Sequence, residues 1–250
     1  MNPFLKGLLE DVLSGGRMFR FVTRTWNPIS GCLHGCRYCW ARKLAEGKLK
    51  GSARYGDGFV PRFNEGELRT GFRPGEVVFV SDMGDMFGSW VPKSWIGAVL
   101  NHIRKFPRAY FLFLTKNPGR YCEFLDEIPG NVILGATIET NRDDLYLKYQ
   151  ISKAPLPSAR YKAIVDLDWD RKFVSIEPIL DFDLEVLASW IEEVRPLVVA
   201  IGYDNYGNRL PEPPLDKTHR LISKLREFTF VITKTLRRAW DEGGDLTQFF

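Results

Sequence analysis

Seven short runs of apolar, β-branched or aromatic residues recur along this chain, and their spacing is the strongest constraint on its fold. They are Phe19 to Thr23, Val77 to Ser81, Tyr110 to Thr115, Val132 to Thr137, Phe173 to Ile176, Leu197 to Ile201 and Phe228 to Ile232. Each has the length of one strand. Most are near-continuously apolar rather than alternating, as parallel strands covered on both faces are. Helix-like segments lie between them: Arg37 to Leu49, Ser94 to Lys105, Gly119 to Ile128, Asn141 to Ser152, Leu184 to Val194 and Leu215 to Glu227. Alternating strand and helix implies right-handed βαβ units. Six to seven parallel strands in 250 residues predict an α/β fold, a partial or near-complete (β/α) TIM-type barrel forming a single domain over 1–250. A helix is expected over 3–13, capped by Asn2 and stopped by Gly15 and Gly16. The Gly- and Arg-rich stretch 50–75 has weak periodicity and reads as a loop excursion after the first internal helix.

The formal net charge of +4 is too small to mark a nucleic-acid-binding protein by itself. No apolar run is long enough to span a bilayer, so no membrane association is expected. The first residues, MNPFLKGLLEDVL, lack the basic start and small-residue cleavage site of a signal peptide, and a cytoplasmic location is expected. Cytoplasmic thiols are kept reduced, so clustered cysteines there read as metal-binding or catalytic before they read as disulfides.

Such a cluster exists. CLHGCRYC, 32–39, holds three of the four cysteines. Structural zinc usually takes four ligands in two separated pairs, whereas this triplet stands alone. His34 lies too close in sequence to join all three thiols. Cys122, in GRYCEFLDEI, has apolar neighbours and reads as a core residue. A redox dithiol at CRYC would leave Cys32 unexplained. An iron–sulfur cubane fits better: it has four iron corners, and three thiolates leave one corner open to a substrate or cofactor. Zinc, a disulfide and a redox dithiol remain as alternatives.

Polar residues follow the apolar runs at their carboxyl ends, where barrels of this kind place their sites. They include Asp82 and Asp85 after the second run, Lys116 and Asn117 after the third, and Glu139, Thr140 and Asn141 after the fourth. Glu177 follows the fifth, Gly202 to Asn205 the sixth, and Thr233 and Lys234 the last. Together they would line a polar cavity about one small molecule wide.

C-x3-C-x2-C after the first strand of a βα barrel resembles the radical S-adenosylmethionine (SAM) superfamily. More closely, TWNPISGCLHGCRYCWARKLA, VFVSDMGDMFGSWVP, FLFLTKNPGRY, VILGATIETNRD and FVSIEPILDFDL are similar, in that order, to a phage-type radical SAM-like family. The resemblance runs from about Thr25 to Lys234. It implies that Cys32, Cys36 and Cys39 hold a 4Fe–4S cluster whose open iron chelates SAM, and that Tyr38 packs against the adenine. SDMGD, with Ser81, Asp82, Met83 and Asp85, stands where the superfamily has a Gly-Gly-Glu turn, so Asp82 or Asp85 would take the glutamate's place beside the SAM amino group. Glu139 or Glu177 would hold the ribose, Gly202 would let the adenine approach backbone, and Lys116 and Lys234 would pair with a carboxylate. The implied activity is reductive cleavage of SAM to methionine and a 5′-deoxyadenosyl radical that modifies a further substrate, fed by an external one-electron donor such as a ferredoxin or flavodoxin.

Nucleic acid is a candidate partner. The excursion interleaves Lys48, Lys50, Arg54, Arg62, Arg69 and Arg73 with Tyr55, Phe59, Phe63 and Phe72. A solvated loop with aromatic anchors explains the same pattern. Met83 and Met86 read as packing residues, and Trp26 and Trp40 as shields for the cysteine loop. Two further readings remain: a non-catalytic iron–sulfur or zinc-loop protein that binds nucleic acid or a partner protein, and a cluster-carrying scaffold.

Overall fold

The computed structural model describes residues 19–242. The expected helix at 3–13 lies outside them. Seven strands form one all-parallel sheet: β1 (Arg24–Trp26), β4 (Val77–Val80), β5 (Tyr110–Thr115), β6 (Val132–Thr137), β7 (Lys172–Ile176), β8 (Val198–Ile201) and β9 (Phe230–Thr233), paired in that order. Two short strands, β2 (Ile29–Ser30) and β3 (Arg62–Phe63), form a separate antiparallel ribbon. The helices are α1 (Trp40–Glu46), α2 (Lys93–Ile103), α3 (Asp143–Lys148), α4 (Pro157–Val165), α5 (Leu184–Val194) and α6 (Leu215–Leu225).

The sheet is curled into a half-barrel, the partial form of the expected barrel. In a flat sheet β4 and β9 would lie about 24 Å apart, five strand spacings. Yet the ring of Phe19 lies 5.7 Å from that of Phe79 on β4, 4.9 Å from that of Phe173 on β7, and 4.9 Å from the ammonium of Lys234 just after β9. Concave-side residues of β4 to β9 pack with Phe19, Phe21 and Val22 into an inner core. The outward residues of the same strands pack against the helices in a larger outer core. Burial on both faces explains why the strands are apolar without alternation.

Four expectations change. Phe19 to Thr23 is not the first strand; Phe19, Phe21 and Val22 plug the inside of the half-barrel, and the strand is the three residues after them. Gly119 to Ile128 forms two short 3-10 turns, Pro118–Glu123 and Leu125–Glu127, rather than an α-helix. Cys122 on the first of them is exposed, not in the core, because Tyr121 takes the inward position. In 141–152 only α3 is helical: Gln150 adopts a left-handed backbone (φ 47°), and the chain then turns back along the cysteine loop. Helix α4 was not anticipated, because its inward face carries Pro157, Arg160 and Ile164 rather than an apolar stripe.

The excursion folds on itself. Tyr55, Phe59 and Phe72 are buried, and Phe63 stacks on Trp95 with centroids 5.6 Å apart. Arg54 pairs with Glu67 at 2.6 Å and Arg62 with Asp57 at 2.7 Å. These aromatic rings are anchors rather than a platform for bases. Among the described residues, no helix is long and apolar enough to cross a membrane.

Candidate active site

The carboxyl ends of the strands open into one cavity of about 210 Å³. Cys32, Cys36 and Cys39 line it together with Tyr38, Ser81, Asp82, Asp85, Lys116, Glu177 and Lys234. These residues come from the cysteine loop and from the ends of β4, β5, β7 and β9, so the barrel geometry assembles what the sequence separates by as many as 202 positions, from Cys32 to Lys234.

The cysteine loop is pinned on several sides. Gly31 N–H donates to the Met83 carbonyl (2.9 Å), Cys32 N–H to that of Phe59 (3.3 Å) and Arg37 N–H to that of Ile151 (3.0 Å). Lys153 N–H donates to the His34 carbonyl at 2.6 Å, and Ser152 Oγ lies 3.1 Å from Cys36 Sγ. Gly31 is required here: its φ is +82°, and a Cβ would stand 2.1 Å from the Val60 carbonyl oxygen. Cys39 caps α1, its sulfur accepting from Arg42 N–H at 3.3 Å.

All three thiols are free. Burial pushes the Cys32 thiol far up, and the Asp85 carboxylate adds to that; burial also raises Cys39, against the opposing Arg42 N–H. Cys32 and Cys39 are therefore held as neutral thiols in the cation-free protein. Among the described residues, no three His, Cys, Asp or Glu side chains converge on a single ion position.

The β4 end separates its two carboxylates by role. Asp85 is fully engaged: it accepts from His34 Nε2 (2.9 Å), Thr115 Oγ1 (2.7 Å), Lys116 N–H (3.0 Å) and Phe87 N–H (3.0 Å). Burial alone would raise its pKa; these donors, His34 foremost, outweigh burial and hold it below the usual carboxylate range. Asp82 has one side-chain partner, Asn27 Nδ2 at 2.6 Å, and burial raises its pKa. Ser81 has a left-handed backbone (φ 59°), and its buried hydroxyl has no hydrogen-bond partner. A buried unpaired hydroxyl lining a cavity is open to water or to a polar ligand.

Below the cysteines lies a closed charge network. Glu139 is fully buried and faces Arg160, with Nη1 to Oε2 at 2.6 Å. Tyr38 donates its phenol to the other Glu139 oxygen, and Lys116 Nζ stands 3.9 Å from that same oxygen and 5.3 Å above the Tyr38 ring. At the far side Lys234 pairs with Glu177 at 3.0 Å. Burial raises the Glu177 carboxyl, against the pull of Lys234.

Seven expected residues do not line the cavity: Asn117, Thr140, Asn141 and Thr233 at the strand ends, and Glu139, Met83 and Gly202. Asn117, Thr140 and Asn141 are hydrogen-bonded to Phe87, Asp181 and Asp183. Glu139 sits behind Tyr38, its oxygens taken by Arg160 and the phenol. Met83 is buried beside Ala41, Ala45 and Phe59, backing Cys32 and Cys39. Gly202 lies behind Glu177, where a Cβ would stand 3.0 Å from Glu177 Oε1. Trp26 is no shield: it packs in the outer core and donates its indole N–H to the Glu67 carbonyl at 3.0 Å, whereas Trp40 does line the cavity. Sequence reasoning missed His34 as the partner of Asp85, and Arg160 as the partner of Glu139. A histidine inside the triplet was a visible signal; an arginine on an unremarked helix was not.

A sequence family described as "Protein of unknown function (DUF5131)" matches residues 18–202. The chain belongs to the DUF5131 family. The DUF5131 match takes in the cysteine loop, the β4 end, Lys116, Glu139 and Glu177, while Lys234 lies beyond it. No curated protein matches the sequence. Among solved structures, a double mutant of spore photoproduct lyase with bound AdoMet and dinucleoside spore photoproduct is similar in fold, with a TM-score of 0.54 at 12% identity over 82% of this chain and 61% of that one. A mutant of the same lyase gives 0.57 at 11% identity over 82% and 75%. Streptococcus suis SuiB bound to precursor peptide SuiA gives 0.51 at 13% identity over 93% and 51%. At these identities the likeness is one of fold: the curled half-barrel is shared. The chain spans about three fifths of the length of spore photoproduct lyase in the first comparison.

Proposed function

We propose that this DUF5131 chain is a radical SAM enzyme in which Cys32, Cys36 and Cys39 hold a 4Fe–4S cluster beside a SAM site. The observation that carries this reading is that three free thiols, the unpartnered Ser81 hydroxyl and the Asp82 carboxylate all line one cavity at the carboxyl mouth of a parallel half-barrel. Shared fold with a lyase solved with AdoMet adds to it. The donor set fits the group: three thiolates on a cubane bind different irons and need not converge on one point. When bound, the cluster and SAM together supply one-electron reductive cleavage of the sulfonium, with an external protein as electron source.

The chain's own residues do the rest. Asp82 and Ser81 take the SAM ammonium, because Asp85 has no free oxygen for it. Asp85 instead holds His34 and thereby the cysteine loop. Tyr38, locked by Glu139 and Arg160, offers a fixed ring face on the cavity wall. Lys116 and Lys234 receive carboxylate, the latter by exchanging Glu177 for it. The apolar walls from Phe19, Phe79 and Leu114 keep water from a reactive species.

The test is anaerobic. The protein is reconstituted with iron and sulfide, reduced with dithionite, given SAM and assayed for 5′-deoxyadenosine. Formation of the nucleoside that disappears in Cys36→Ala supports the reading. A stable cluster that neither cleaves SAM nor changes spectrally with it removes the reading in favour of a scaffold.

A further inference from the structure

The loop after β8 supplies four consecutive residues of the cavity wall, Tyr203, Asp204, Asn205 and Tyr206, and none of them is needed to hold a cluster or SAM. Two are spent inside the protein. The buried Tyr203 phenol meets the Pro213 carbonyl (3.0 Å) and Thr218 Oγ1 (2.7 Å). The Asp204 carboxylate accepts from Tyr206 N–H (3.3 Å) and from the N–H and Nδ2 of Asn208 (2.6 and 2.7 Å). Arg237 ties the loop to the segment after β9: it donates to the Asp204 carbonyl (2.8 Å) and, through both Nη atoms, to the buried Glu212 (2.7 Å each).

The other two are held out by this fixed loop and are not spent. Asn205 accepts from Thr235 Oγ1 at 2.5 Å, and among the described residues its Nδ2 has no partner. Tyr206 is 55% exposed, and its ring centre lies 5.4 Å from Lys43 Nζ. Lys43 is exposed and bonded to Asn208 Oδ1 at 2.6 Å; among the described residues it meets no carboxylate. It stands three residues after Trp40 on α1, and residues three apart share a helix face. Trp40 and Tyr206 thus line the cavity from two elements, with Lys43 at its edge.

An open amide donor, two aromatic rings and an unneutralised cation complement a planar ring with acceptors on its edge, carried on an anion. A nucleotide has all three features: bases stack on aromatic side chains, their edges bond to amides, and phosphate meets lysine. A neutral aliphatic substrate would leave the amide and the cation unanswered. The excursion does not compete for this role, because its rings are anchors and Arg54 and Arg62 are paired with Glu67 and Asp57.

We propose that the rim formed by Trp40, Lys43, Asn205 and Tyr206 binds the second substrate of this cavity, and that this substrate is a nucleotide, free or within a single strand. The proposal rests on the radical SAM reading for what is done to the nucleotide. The base lies on the Tyr206 ring with its edge toward Asn205 Nδ2, and the phosphate stands at Lys43. A base within a duplex hides its faces in the stack, so a strand bound here is single.

The test measures binding to the full, cluster-free chain, which needs no turnover. The probes are a fluorescein-labelled single-stranded DNA of about ten nucleotides and its RNA counterpart, followed by anisotropy, with thymidine and adenosine monophosphates as competitors. Tyr206→Ala should weaken binding at least about fivefold, and Tyr206→Trp should keep it. Lys43→Ala should weaken binding and lower the slope of log affinity against log salt by roughly one. Lys48→Ala, which removes an exposed lysine outside the rim, should change affinity far less. Both Tyr206 and Lys43 are exposed, so the variants should keep the wild-type circular dichroism. Displacement by the monophosphates marks a free nucleotide as the occupant, and resistance to them marks a strand; the rim stands in either case. Wild-type affinity in both Tyr206→Ala and Lys43→Ala overturns the rim, as does a wild type that binds neither probe. The reconstituted wild type is assayed in parallel for 5′-deoxyadenosine. Rim-dependent binding without any of that product overturns the functional reading, and with it the substrate role, and leaves a nucleotide-binding protein.

Discussion

Glu139 Oε2 lies 2.6 Å from Arg160 Nη1, and both side chains are fully excluded from solvent. One comes from the end of β6 and the other from α4, so the pair ties the helix to the mouth of the half-barrel directly beneath Tyr38. Breaking such a pair leaves one buried charge unmatched, which costs about 3–5 kcal/mol. Glu139→Gln is expected to lower the urea midpoint accordingly. It should also release the Tyr38 phenol, seen as a shift in tyrosine absorbance. A midpoint within error of wild type would show that Arg160 finds another partner.

The same pair sets a pH dependence. Burial pushes Glu139 up, but Arg160 and then Lys116 outweigh it, and the carboxyl sits below its usual range. The unfolded chain therefore takes up this proton more readily than the folded one. The stabilisation is fully present above the ordinary glutamate value, about 4.3, and is lost as the pH falls through the lower folded value. Asp85, also depressed, acts in the same direction. Urea titrations of wild type and Glu139→Gln should differ most near neutrality and converge in acid. A gap that widens in acid would reverse the assigned sign.

The two aspartates of SDMGD should separate by experiment. Asp85→Asn removes a charged acceptor from four donors and is expected to cost about 1–3 kcal/mol of stability. It should also loosen the cysteine loop through His34, seen as faster loss of iron to a chelator. Asp82→Asn keeps an oxygen for Asn27 and should leave the melting temperature within a few degrees. It should weaken SAM binding at least about tenfold, the loss of one charge-assisted hydrogen bond. Equilibrium dialysis with SAM decides: equal affinity in Asp82→Asn would remove that residue from the site.

The legible part of this protein was what repeats. Six of the seven parallel strands could be read because burial on both faces leaves continuous apolar runs, and the ends of five runs matched β5, β6, β7, β8 and β4 to within one residue. The cysteine loop and the polar strand ends could be read because each interrupts an apolar pattern. What could not be read depends on partners distant in sequence. Asp82 and Asp85 are alike in sequence; only Thr115, Lys116 and His34 make one a structural acceptor and leave the other open. Glu139 ended a strand as Glu177 did, yet an arginine 21 residues away draws it out of the cavity wall. Phe19 to Val22 had a strand's composition, and it took the curl of the sheet to turn them into its plug.

Gly202 tests the packing behind the Glu177–Lys234 pair. A Cβ there would lie 3.0 Å from Glu177 Oε1 and 3.2 Å from Lys234 Cβ. Both neighbours are tightly held, so Gly202→Ala should cost about 1–3 kcal/mol as an overpacking change. Gly97, in the middle of α2, is the control: nothing lies within 4 Å of its Cβ position, and Gly97→Ala should stabilise by about 0.5–1 kcal/mol. Denaturation of both variants should give shifts of opposite sign. A neutral Gly202→Ala would mean that the ion pair moves aside freely.

Four cysteines offer a clean internal comparison. Cys122 is exposed on a 3-10 turn and does not line the cavity, whereas the other three do. Cys122→Ser exchanges one exposed polar atom for another and should change stability by no more than about 0.5 kcal/mol, with iron and sulfide content after reconstitution unchanged. Cys32→Ser, Cys36→Ser and Cys39→Ser each remove a soft sulfur donor from the set, and each should lose most of the iron. Each should also stay folded in the metal-free state, since Cys32 and Cys39 are raised by burial and rest there as neutral thiols, a role a hydroxyl can fill. Iron analysis beside circular dichroism of the four variants separates the outcomes. Full iron in any of the three, or loss of iron in Cys122→Ser, would break the assignment of the triplet as the ligand set.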